Sequence, residues 1–171
     1  ILRWIDLKAK TGFAEWDSNV YYDEDMTPLL NLADFAEDEE IRTKAAMILD
    51  VMFFDMAVDS YTGTYGSSHG RTYPGSILSG RKEATRGVQK IARGLDCFNN
   101  PNNMTAVSLA TSSGYRVPEV IESIAQDLPD ALINHERQSF NLEDGPRLGI
   151  SFDDVGIQVP YAAFTGCSSK W

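Results

Sequence analysis

The sequence is poor in the residues that bind soft metals and staple small domains. It has two cysteines, Cys97 and Cys167, and two histidines, His69 and His135, among 171 residues. Two cysteines are too few for a zinc cluster or a disulfide framework, and no metal-ligand spacing such as His-Glu-x-x-His is present. No metal or other cofactor is expected. No apolar run approaches the roughly 20 residues that span a bilayer, so no membrane role is expected either. Basic residues are scarce as well: 15 Lys and Arg stand against 25 Asp and Glu, a net charge of -10. That balance argues against nucleic acid as a partner, because phosphates call for a basic surface. Strand-like alternation is nearly absent, which leaves an all-α chain. What is present, 43% hydrophobic and 23% charged residues, is ordinary for a chain that buries a core.

The ends read as interior sequence. Residues 1–5, Ile-Leu-Arg-Trp-Ile, look like the apolar face of a helix already under way, and the last residue is the large aromatic Trp171. Domains usually fray at polar termini. The expectation is that residues 1–171 are a single fragment of a larger helical domain, helical over 1–130 and irregular over 131–171. Its first partner would then be the remainder of its own parent chain.

Charge divides the chain into three parts. Residues 1–60 carry 14 acids and 5 bases, residues 61–114 carry 2 and 6, and residues 115–171 carry 9 and 4. The basic middle part is also where Gly, Ser and Tyr concentrate, a composition suited to an anionic or polyhydroxyl ligand.

Apolar spacing of three and four predicts a helix from about 25 to 36, with Pro28 in its first turn. Asp38-Glu39-Glu40 opens a second helix, three acids at the positive end of the helix dipole. It runs to about 59 and is apolar almost all round between 48 and 54, the pattern of a helix buried between two layers. The short connection predicts that the two pack as an antiparallel hairpin. After a loop over 60–80, weaker helices are expected over about 82–95, 104–114 and 118–129.

Two loops carry the candidate chemistry. In Gly12-Phe13-Ala14-Glu15-Trp16-Asp17-Ser18-Asn19-Val20-Tyr21-Tyr22, two carboxylates stand beside an indole, a hydroxyl, an amide and two phenols. A sugar site needs that mixture: carboxylates for acid–base work and aromatic faces for the apolar side of a pyranose. The plainer reading is a capping loop, with Asp17 or Ser18 receiving helix N–H groups and Trp16 and Tyr21 filling core. In Gly66-Ser67-Ser68-His69-Gly70-Arg71-Thr72-Tyr73, alternating His69, Arg71 and Tyr73 offer a proton acceptor, a carboxylate clamp and a proton donor. The plainer reading there is a solvated loop. Gly75-Ser-Ile-Leu-Ser-Gly-Arg-Lys82 misses the phosphate-loop pattern, since Arg81 and Lys82 stand where Lys and a hydroxyl are required. Asn103-Met104-Thr105 is a formal glycosylation acceptor, and His135-Glu136-Arg137 reads as a solvated helix face.

Residues 12–22 and 28–36 resemble a segment of large bacterial proteins that are themselves similar to the (α/α) toroid carbohydrate-active enzymes, both polysaccharide lyases and glycoside hydrolases. The resemblance continues through 42–55, 66–73 and 115–121 and covers most of 1–165. Its most specific pieces are Glu15-Trp16-x-Ser18 and His69-Gly70-Arg71-x-Tyr73, while residues 75–103 depart from the pattern. It implies a ring of helical hairpins with long loops around a cleft for a polysaccharide or oligosaccharide. In hydrolysis, Glu15 would be the acid, with Asp17 or a carboxylate elsewhere as its partner. In β-elimination, His69 and Tyr73 would be base and acid, and Arg71 or Asn19 would neutralise a uronate carboxylate. Trp16, Tyr21 and Tyr22 would complete the sugar-binding surface. The alternative is a non-catalytic helical scaffold or glycan-binding module.

Overall fold

The structure is a computed structural model that describes residues 1–13, 15, 17–95, 98 and 103–151, the side chain of Leu142 excepted. Trp16, Cys97 and Cys167 lie outside the described residues. Among the described residues the fold is mostly helical, as the sequence pattern predicts. Seven α-helices occur, α1 (Leu2–Thr11), α2 (Asn19–Phe35), α3 (Glu39–Val58), α4 (Pro74–Leu78), α5 (Arg86–Arg93), α6 (Met104–Thr111) and α7 (Glu119–Gln126). The only sheet among the described residues is an antiparallel pair of two-residue strands, β1 (Ser60–Tyr61) and β2 (Thr64–Tyr65).

Helices α2 and α3 form the centre. They pack against each other through Met26, Leu29, Leu30 and Ala33 on one side and Ala45, Ile48, Leu49, Met52, Phe53 and Met56 on the other. Helices α1 and α7 cover α3, α6 covers α2, and α5 rests on α6. Asp38 caps α3, accepting from the Glu40 amide at 2.8 Å, and Glu39 and Glu40 occupy its first turn. The acid-led start expected from the sequence is therefore present.

Four expectations need correction. Helix α2 starts at Asn19, not near 25, so Pro28 sits well inside it. The Ser18 side chain supplies the cap, accepting from the Tyr21 amide at 3.3 Å. Helix α3 is not enclosed on all sides: Met47, Val51 and Phe54 are 59%, 51% and 43% exposed. The expected 60–80 loop contains β1, β2 and α4, with Thr62 and Gly63 both at positive φ in the strand turn. His135-Glu136-Arg137 is not helical, and Glu136 is turned inward against Gln138.

The Asn103-Met104-Thr105 acceptor opens α6 with its Thr buried. The Thr105 hydroxyl donates to the Asp23 carbonyl at 2.5 Å and lies 2.9 Å from the Thr27 hydroxyl, tying α6 to α2. No helix among the described residues is long and apolar enough to cross a membrane.

Candidate functional site

The two loops singled out in the sequence meet. The first, between α1 and α2, begins at Gly12, whose φ of 72° is in the left-handed region. A side chain there would also press on Gln138, since a Cβ would lie 2.8 Å from its Cγ. Glu15 and Asp17 are left-handed too, with φ of 57° and 45°, a conformation rare for residues with a side chain. An extended segment would aim both carboxylates to one side. This backbone separates them: Glu15 turns to Arg71, its side chain 18% exposed, and Asp17 is fully buried.

Asp17 is the point on which the second loop closes. Its carboxylate accepts from Ser67 Oγ at 3.1 Å, from Gln138 Nε2 at 2.7 Å and from the Tyr22 hydroxyl at 3.3 Å. Its backbone carbonyl accepts from His69 Nδ1 at 2.5 Å. Ser18 Oγ donates to the Arg71 carbonyl at 3.1 Å, so the capping residue also stitches the loops together. The plainer reading of this stretch, a capping loop, therefore holds for Ser18.

His69 is a brace between these loops. Its Nε2 faces the Tyr65 carbonyl at 3.3 Å, while Nδ1 faces that of Asp17. A ring nitrogen that donates to a carbonyl carries a hydrogen, so at least one of the two is committed to a backbone carbonyl in this arrangement.

Arg71 and Tyr73 lie at the rim. Arg71 Nε is 2.6 Å from Glu15 Oε2, and the guanidinium carbon lies 5.4 Å from the centre of the Tyr21 ring. Its neighbours Tyr73, Glu15 and Tyr21, in that order, push the Arg71 pKa further up. Tyr73 is 52% exposed and precedes α4. Two residues expected at the sugar surface are instead interior. Asn19 is fully buried against Glu83, on the side of α5, and the Tyr22 ring is core, edge-on to Phe13 and stacked on Tyr65.

Several residues of the site escaped sequence reasoning. The Tyr22 hydroxyl also donates to Asp55 Oδ2 at 3.1 Å. Asp55 sits in the last turn of α3, and Asp59 is its C-cap. Burial pushes Asp55 up to about 7, with Glu136 and Asp17 adding repulsion. Asp59 and Glu136 are raised as well, again chiefly by burial. Burial likewise raises the Tyr22 and Tyr65 hydroxyls far above the ordinary tyrosine range. One signal was available: two acids at the C-terminal end of a helix oppose its dipole, and such a placement asks for a reason.

The site therefore offers an ion pair flanked by Tyr21 and Tyr73 beside a partly buried nest of carboxylates and phenols. Compared with protein-family models, with curated proteins and with solved structures, the chain matches none.

Proposed function

We propose that the chain is the cleft-bearing part of a carbohydrate-active enzyme that cleaves glycosidic bonds in a polysaccharide. The observation supporting this reading is the closure of residues 66–73 onto residues 15–18 through Ser67, His69 and Arg71. In this reading α2 and α3 are one hairpin of an (α/α) toroid, and the apolar face bearing Met47, Val51 and Phe54 is where a neighbouring hairpin of the parent protein packs.

Of the two chemistries, β-elimination suits the rim better. Arg71 beside Tyr73 supplies a cation for a uronate carboxylate and a phenol for proton transfer. The Tyr21 and Tyr73 rings offer apolar faces for the sugar, and an ion-paired Glu15 suits hydroxyl recognition better than proton donation. Tyr73 Oη takes the proton beside the carboxylate, and the electron pair of that C–H bond becomes the ring double bond as the bond to the leaving oxygen breaks. The leaving oxygen takes the proton back from Tyr73 Oη. Hydrolysis through the carboxylates remains the competing route and yields reducing ends without unsaturation.

The test is to assay the parent protein on uronate-containing polysaccharides, following unsaturated products and reducing ends separately. Tyr73→Phe is expected to cut turnover by at least about 100-fold, the low end for removing a general acid or base. Arg71→Ala is expected to act mainly on KM. Turnover unaffected by Glu15→Gln, Arg71→Ala and Tyr73→Phe together would remove the site from consideration.

A second reading, a glycan-binding module without turnover, is favoured by how fully Asp17 and His69 are engaged with protein groups. Glycan binding by a parent protein that turns over no polysaccharide would select it.

A further inference from the structure

Among the described residues, the carboxylates beneath the loops have no Lys or Arg among their hydrogen-bond partners. Asp17, Asp59 and Glu136 each present an oxygen, and the three oxygens lie within 4.8 Å of one another. Asp55 adds a fourth acid through their shared neighbour Tyr22. The hydrogen-bond partners of these four groups are neutral: Ser67, Tyr22, Gln138 and Asn134. His69 lies near Asp59, with its nitrogens on backbone carbonyls.

A second observation points to something between them. Tyr65 is 1% exposed, and its hydroxyl faces Asp17 without a hydrogen bond of ordinary geometry. The buried Oε1 of Gln138 has no hydrogen-bond partner either, although its Nε2 touches Asp17 and Glu136. A hydroxyl and a carbonyl left unsatisfied beside three acids are costly unless a further group completes them.

We propose that Asp17, Asp59 and Glu136 hold a hard divalent cation, calcium in particular. The donors are all oxygen, the chemistry calcium prefers over softer metals. The three oxygens, all within 4.8 Å of one another, are near enough for one calcium ion, with contacts of about 2.3–2.6 Å, to draw them onto it. Magnesium, at about 2.0–2.1 Å, demands a stricter octahedron and keeps more of its water, so a set drawn from three segments suits calcium better. Gln138 Oε1 is a neutral oxygen at the edge of this set, and a coordinated water would give the Tyr65 hydroxyl its partner. The ligands come from three distant segments, so no spacing in the sequence announces them. The proposal stands whether or not the cleft cleaves a sugar.

The test uses the whole chain, stripped with a chelator and titrated calorimetrically with calcium chloride and separately with magnesium chloride. Terbium serves as an optical calcium mimic, excited through Tyr22 and Tyr65. Calcium is expected to bind one ion per chain, to raise Tm by roughly 5 °C or more at saturation, and to displace terbium. Asp59→Asn with Glu136→Gln is expected to weaken calcium at least tenfold while the far-ultraviolet circular dichroism is kept. Should that variant misfold, Tyr65→Phe in the otherwise native chain gives a separate reading, a fall in sensitised terbium emission to the part that Tyr22 supplies. No heat, no rise in Tm and no saturable emission at about 10 mM calcium, beyond the weakest protein sites, would overturn the proposal. Undiminished binding in the folded double variant, or undiminished emission in Tyr65→Phe, would do the same by putting the ion elsewhere.

Discussion

The Tyr22 hydroxyl stands between two carboxylates, donating toward Asp55 and Asp17 from a ring that is itself core. Tyr22→Phe keeps the ring and removes that donor. It is expected to cost about 1–2 kcal/mol in urea unfolding and to raise the pKa of Asp55 further, because the bond from Tyr22 favours the ionised form. Carboxyl chemical shifts followed by pH titration would check the second effect. The individual roles were only partly legible in the sequence. Glu15, Asp17, His69, Arg71 and Tyr73 were recognisable as one polar group, and they do gather. Which of them faces outward was not, because residue type does not foretell the left-handed backbone at Glu15 and Asp17. Glu136 and Gln138 were invisible as site residues, since Gln138 reaches Asp17 across 121 positions of chain.

At the scale of elements, the strongly periodic helices were readable and their ends less so. Helix α3 has acids at its start and a sustained apolar face, two signals that agree. Helix α2 begins Asn-Val-Tyr-Tyr, poor helix formers, and its true cap, Ser18, looks like part of a polar loop. The β1–β2 pair escaped because two-residue strands are too short to alternate. The connection after α6 offers a sharp test. Asp34 gathers the Ser112 hydroxyl at 2.9 Å and the amides of Ser113 and Gly114 at 3.0 and 2.5 Å. A Cβ on Gly114 would collide with the Ala33 carbonyl and lie 2.9 Å from the Asp34 carboxylate. Gly114→Ala is therefore expected to destabilise by about 1–3 kcal/mol, the usual range for overpacking. Thermal unfolding would register it as a lower Tm, with helix content retained below the transition.

At the scale of the whole molecule, the buried acids set the pH dependence. Burial lifts Asp23 and Asp25 to about 6 and Asp55 and Glu83 to about 7. The folded state then holds protons that the unfolded chain has released, so stability is highest below the unfolded carboxylate range. It falls as pH rises from about 4 toward 7. Each group contributes up to about 1.4 kcal/mol per pH unit within its window. Self-repulsion from a net charge of -10 acts in the same direction. The urea midpoint in metal-free buffer is expected to be higher at pH 5 than at pH 7.5. Glu83→Gln, which still accepts from the Thr85 amide through its carbonyl, is expected to flatten part of that slope. The acidic nest has a different consequence at this scale. Its members come from residues 17, 55–59, 65–69 and 136–138, so it assembles only after contacts spanning 121 positions of chain have closed. Trimming the protein before residue 134 would spare every α-helix described above yet dismantle the nest, making its integrity a gauge of finished folding that helicity cannot supply.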